Sequence, residues 1–195
     1  MNIVEQSVEL WSMTPDPIKL IEKAGRVCYQ SESKGNSAKF VQSIIKRGHE
    51  SVIEHASATF CIICDRGITH EIVRHRLASY SQESTRFVKY DDITVIEPPG
   101  LSKEEQEAWN SIMFISERTY AKLLKNQKAQ IARSVLPTCL KTQIVMTANF
   151  REWRHFLKLR MSKAAHPQIR VIASQIHKIF MDSDAAPVFE DIEFE

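Results

Sequence analysis

At 195 residues the chain has room for one well-buried domain, or at most two small ones. Hydrophobic content of 43% and charged content of 26% are ordinary for a soluble globular protein. A net charge of +2 excludes a surface built to bind polyanions in general. The charge is unevenly spread. Residues 149–179 hold seven Lys/Arg and one acid, whereas residues 182–195 hold six acids and neither Lys nor Arg. That asymmetry suggests a local anion site followed by an acidic, peripheral tail. No basic region followed by an apolar run opens the chain, and no apolar run approaches membrane-spanning length. Four scattered cysteines (Cys28, Cys61, Cys64, Cys139) without a secretion signal predict free thiols in a cytoplasmic protein.

Residues 2–11 alternate weakly and predict a first strand. Asp16-Pro17 reads as N-cap and first helical residue of a helix to Tyr29, with Ile18, Ile21, Ala24 and Cys28 as its apolar stripe. Residues 31–36 are polar and predict a loop. A second helix spans 37–47, and Gly48 stops it. His49-Glu50-Ser51-Val52-Ile53-Glu54-His55 could ligate a metal or move protons. A solvated loop whose histidines cap neighbouring backbone is the favoured reading. A strand follows at 55–64. Its alternation sends Cys61 and Cys64 to opposite faces, which disfavours a zinc or redox pair. A third helix is expected over 67–77. It contains His70-Glu71-Ile72-Val73-Arg74-His75, where the histidines are five apart rather than four. They share no helix face, so a zinc-protease site is rejected.

Further on, 92–97 predict a short strand ended by Pro98-Pro99-Gly100. Ser102 and Glu105 form a capping box opening a long helix to about Asn126. Trp109, Ile112, Met113, Tyr120, Leu123 and Leu124 supply its buried stripe. A short helix over 127–135 carries Arg133. A strand over 139–148 runs into a basic helix beginning near Asn149, with Phe156, Leu157 and Leu159 inward, and a last helix spans 166–181.

One segment fits none of these roles. Residues 74–87 pack three arginines, one histidine, five hydroxyl side chains and a glutamine into fourteen residues, without Gly or Pro. An idle loop would be richer in turn formers, and a core segment would not carry so many groups needing partners. What remains is a polar pocket wall, suited to phosphate oxygens and flat hydrogen-bonding rings. The strand-to-helix junction at Asn149 adds a second anion-binding region, and Arg133 a further cation. Gly-rich phosphate loops and G-x-S-x-G are both absent, so phosphates would be held by side chains and no serine nucleophile is indicated.

Arg74-His75-Arg76, seven residues, then Ser84 resembles the signature of the flavin-dependent thymidylate synthases, and Ser79 and Arg86 extend the likeness. Gly48-His49-Glu50-Ser51 with Glu54-His55 is similar to that family's upstream histidine segment, and Arg26-Val27-Cys28-Tyr29 to its first-helix exit. Ala132-Arg133-Ser134-Val135-Leu136-Pro137 and residues 149–160 resemble its two downstream blocks. Order and spacing hold across about residues 20–180.

The resemblance implies an α+β fold, a single domain over 1–195 with a mostly antiparallel sheet flanked by helices, assembled as a homotetramer whose active sites draw on several subunits. It implies conversion of dUMP to dTMP, with methylenetetrahydrofolate as carbon donor and NADPH as reductant through bound FAD. No metal, nucleic acid or membrane is expected. Arg74, His75, Arg76, Ser51, Asn149, Arg151 and His155 would touch flavin, Arg74 also lying near dUMP. Gln82 is assigned to both flavin and substrate. Ser84, Arg86 and Arg133 would hold dUMP, its phosphate especially, with Glu71, Glu83 and Thr85 in the same set. His49 would lie near the flavin ring and folate, and Arg160 would face the uracil and favour its ionised form. The chain departs from the family's usual residues at Ser81, Gln82, Phe87, Glu71 and His155, and at Ala164-Ala165-His166. Two alternatives stay open: a non-catalytic nucleotide or RNA-binding module, and a flavoprotein without folate chemistry.

Overall fold

Element boundaries follow local chemistry closely. The computed structural model describes residues 1–33 and 35–193. Lys34 of the expected loop and Phe194-Glu195 of the tail lie outside them. The strands are β1 (Asn2–Ile3), β2 (Ser7–Met13), β3 (Ser57–Asp65), β4 (Ala78–Gln82), β5 (Thr94–Val95) and β6 (Lys141–Asn149). The helices are α1 (Pro17–Tyr29), α2 (Ser37–Lys46), α3 (Arg66–Ile72), α4 (Lys103–Leu124), α5 (Ala129–Ala132), α6 (Phe150–Arg160), α7 (Pro167–Met181) and α8 (Ala186–Phe189), with 3-10 turns at Glu50–His55 and Arg133–Val135. Four strands align as β2-β3-β6-β4, and β1 pairs with β5 in parallel, Asn2 opposite Thr94. The class is the expected α+β, an antiparallel sheet with helices.

The described residues fold as two compact units: residues 1–7, 62–74 and 81–144; and residues 8–61, 75–80 and 145–193. In the first, Ile93, Val95, Met113, Tyr120, Ala132 and Leu140 make the core. The predicted capping box is present: Ser102 Oγ accepts from the Glu105 N–H, and the Glu105 carboxylate accepts from the Ser102 N–H. In the second, Phe60, Phe150, Trp153, Phe156, Phe180 and Phe189 are fully buried. Trp153 donates its indole N–H to the Ala58 carbonyl at 3.0 Å. Each such ring contributes roughly 1.5–3 kcal/mol by leaving water. Gly25, inside α1, is required by contact: a Cβ there would meet the Phe40 ring at 2.8 Å. Gly48 stops α2 as predicted, at φ +76°.

Several expectations are corrected. The first strand is two, β1 and β2. Asp16 sits at the N-cap of α1 in the left-handed region but its side chain caps nothing; Lys19 binds it instead, at 3.3 Å. Cys28 is exposed, because the stripe of α1 follows Pro17, Ile21 and Gly25. Residues 50–55 form a 3-10 turn rather than a loop, and the His49 side chain does not cap it. The third helix ends at Ile72, and residues 78–82 form β4, whose half-buried side chains are Ala78, Tyr80 and Gln82. No aliphatic alternation marks that strand, so periodicity could not reveal it. Ile112 is 60% exposed, since α4 buries only the Met113–Tyr120 stripe. The helix expected over 127–135 is a four-residue helix followed by a 3-10 turn. In α6 Leu159 is 47% exposed while Arg154 is 1% exposed, so that helix is not basic only on its outer face. The acidic tail is folded rather than peripheral: Ala185, Val188, Phe189 and Ile192 are buried, and Phe189 stacks on Phe180 at 3.9 Å.

Candidate active site

In the unit containing residues 75–80 and 145–193, the site is built on α6. Asn149 caps this helix, its Oδ1 accepting from the Glu152 N–H at 2.9 Å. Capping sets the first turn, and Glu152 then points to His75, which is 4% exposed. The Glu152 Oε1 to His75 Nδ1 distance is 3.1 Å, and Arg160 Nε donates to His75 Nε2 at 3.1 Å. His75 is packed against Phe156 (4.8 Å between ring centres) and lies 5.4 Å from His155, while the Tyr80 hydroxyl donates to its carbonyl at 2.7 Å.

Protonation follows from the donors. A guanidinium is always charged and Nε–H can only donate. Nε2 of His75 must therefore carry a lone pair. Burial, then the Arg160 guanidinium and His155, push the imidazole down to about 4, so it is neutral at physiological pH. Its single proton sits on Nδ1 and is donated to Glu152. The contact is a hydrogen bond from a neutral ring rather than an ion pair. Burial raises the Glu152 carboxyl, with His155 opposing.

His75, Glu152 and His155 offer ligand atoms within 4.8 Å of one another, a set that could hold a metal. The same tautomer argues against it. The Nδ1 atom facing Glu152 carries a proton, and moving that proton to Nε2 would aim N–H against the Arg160 N–H.

Other predicted residues of this unit are spread over its surface. His49, Ser51, Arg76 and His155 are exposed. Arg151 is also half-exposed, but its guanidinium lies 2.6 Å from Glu54 and 3.7 Å from Glu50. Those carboxylates share its charge, so it is a weaker phosphate ligand than its place in the sequence implies.

In the other unit, β4 and the turn after it present a second polar group. Gln82 Nε2 donates to Thr69 Oγ1 at 3.1 Å and to Thr142 Oγ1 at 3.5 Å. Buried Thr85 accepts from Arg133 at 3.2 Å, and the Arg86 N–H donates to Ser84 Oγ at 3.4 Å. Arg86 and Arg133 are exposed cations. Glu83 is engaged structurally, by the Tyr90 hydroxyl at 2.5 Å and by Lys141 at 3.2 Å. Glu71 is half-buried at the end of α3, and Arg74 is exposed just beyond it.

Each unit also presents exposed cations that suit an anionic ligand. Arg74 and Arg76 are exposed, and among the described residues no carboxylate pairs with either guanidinium. Each such cation can bind a phosphate oxygen. A cleft of about 480 Å³ opens at the exit of α1, lined by Lys19, Glu22, Lys23 and Arg26 among others, and contains none of the predicted site residues. Sequence reasoning missed Glu152, Thr69 and Thr142. Glu152 had one signal, an acid in the first turn of an otherwise basic helix.

Comparison with known proteins gives a consistent result. Residues 9–187 match the family model described as thymidylate synthase complementing protein. The chain is 41% identical over 199 residues to a flavin-dependent thymidylate synthase of Mycobacterium avium, covering 89% of this chain and 79% of the relative. It is 38% identical over 208 residues to that of Mycolicibacterium vanbaalenii, covering 94% and 83%. The fold resembles a crystal structure of the UMP/dUMP methylase PolB from Streptomyces cacaoi bound with 5-Br dUMP, with a TM-score of 0.87 at 22% identity, over 97% of this chain and 96% of that one. With the Arg-His-Arg segment, its buried histidine and a family match spanning nearly the whole chain, this protein belongs to the flavin-dependent thymidylate synthase family.

Proposed function

We propose that the chain, as one catalytic domain over 1–195, converts dUMP to dTMP with methylenetetrahydrofolate as carbon donor and NADPH as reductant, through FAD. The observation that carries this reading is the Arg160 guanidinium, anchored on a buried, neutral His75 within the Arg-His-Arg segment. A fixed positive charge aimed at the uracil lowers the cost of ionising the ring, which activates it for attack on the one-carbon unit. When bound, reduced flavin supplies the hydride that completes the methyl group. Arg74, Arg76, Ser51, Asn149 and His155 would bind flavin, and His49 would lie beside its ring and the folate. Arg86, Arg133 and Ser84 would hold the nucleotide phosphate, and Gln82, fixed between two threonines, would recognise the base or sugar. Arg151, Glu71, Glu83 and Thr85 play supporting parts, Thr85 by orienting Arg133.

The protein assembles as a homotetramer with shared active sites. Ile112, Phe114 and Ile115 on α4 are 60%, 54% and 57% exposed, a surface suited to burial between subunits. No helix of the described residues is long and apolar enough to cross a membrane; we place the protein in the cytoplasm.

The test begins with the visible spectrum of the purified protein, before and after FAD and then dUMP. A flavin spectrum that responds to dUMP is expected, followed by dTMP formation that needs FAD, NADPH and methylenetetrahydrofolate. Full dTMP formation after FAD is stripped would refute the reading.

A further inference from the structure

Glu152 has no part in the function just described, yet it is 6% exposed and contacts the site's buried histidine. Burial costs this carboxylate hydration, and its hydrogen-bond partner in the cluster is a neutral ring, with His155 also nearby. Its geometry is specific. The cap at Asn149 orients the first turn of α6, Glu152 accepts the proton of His75 Nδ1, and Nε2 accepts from Arg160 at the far end of the same helix.

We infer that Glu152 is a positioning residue for Arg160, acting through the tautomer of His75. With the carboxylate in place, the only lone pair on the imidazole faces Arg160 and fixes the direction of its guanidinium. Without it, the ring is free to carry its proton on Nε2. That N–H then opposes the Arg160 N–H, and the guanidinium leaves its direction toward the substrate. The inference rests on the reading of Arg160 as the residue facing the uracil. The relay itself is a property of the protein alone and can be observed without substrate.

The experiment compares wild type, Glu152→Ala and Glu152→Gln. Long-range proton–nitrogen NMR on histidine-labelled full-length protein, with the His75 signals assigned by their loss in His75→Gln, reads the tautomer. Wild type and E152Q should show the Nδ1–H form, because the Gln carbonyl also accepts. E152A should shift toward Nε2–H. In the dTMP assay E152A should lose up to about a hundredfold in kcat, with FAD affinity and thermal midpoint close to wild type, and E152Q should recover most of the loss. An Nε2–H form in wild type would overturn the inference. So would equal losses in E152A and E152Q, or unchanged kcat in both. If wild type makes no dTMP, the functional reading falls, and the tautomers of wild type and E152A still decide the relay.

Discussion

Asp191→Ala tests whether the acidic tail is part of the fold. Arg154 is 1% exposed, and its guanidinium donates to Asp191 at 2.5 and 2.8 Å and to the Val188 carbonyl. Removing one member of a fully buried pair costs about 3–5 kcal/mol, because the other charge is left uncompensated. The Asp191 side chain is 51% exposed, so water screens part of the interaction. Glu50 also lies 3.6 Å from Arg154 Nε. The cost should therefore be about 1.5–3 kcal/mol, read as a lower urea midpoint at unchanged slope. The pH dependence has a definite sign. The Arg154 hydrogen bonds, then the charges of Arg154 and Lys158, hold the Asp191 carboxyl below its ordinary 3.8. A depressed carboxyl contributes stability that is complete above the unfolded value and disappears as pH falls through the folded one. The gap between wild type and variant should be constant near neutrality and close below about pH 4. A gap under about 0.5 kcal/mol at pH 7, or one that widens in acid, would refute the reasoning.

Three further predictions address other parts of the molecule. Phe189→Ala should destabilise by about 3–5 kcal/mol in calorimetry, since the ring is fully buried and stacked on Phe180. Arg133→Ala should raise the KM for dUMP roughly ten- to a hundredfold with little change in kcat, as expected for a lost charge-assisted contact to phosphate; steady-state kinetics decide it. A thiol reagent at pH 8 should find one fast cysteine in the native protein and four after denaturation. Cys28 is exposed, whereas Cys61 is buried, and burial raises the Cys64 thiol and pushes Cys139 up to about 11.

Much of the architecture was legible because it is local. The capping box at Ser102 and the stop at Gly48 are short-range hydrogen-bond or backbone preferences, and each is found at its predicted position; the helix expected to begin near Asn149 does so, with Asn149 as its cap. The α8 region was missed: Ala185, Val188, Phe189 and Ile192 follow helical spacing on one buried face, but the acids around them read as a solvated tail. The strand β4 was missed as well, because its inward positions are Ala78, Tyr80 and Gln82, a set with no hydrophobic period.

The sequence by itself carried the family resemblance, and with it the α+β class, because the order and spacing of motifs are properties of the chain alone. It could not determine how the polar groups of those motifs are used. Gln82 between two threonines, Glu83 on Lys141, Arg151 on Glu54 and Glu152 on His75 join residues from 13 to 97 positions apart. Only the tertiary structure brings such groups within hydrogen-bond distance. That proximity decides which arginines stay available for a ligand, which carboxylates are engaged, and which nitrogen of His75 carries the proton.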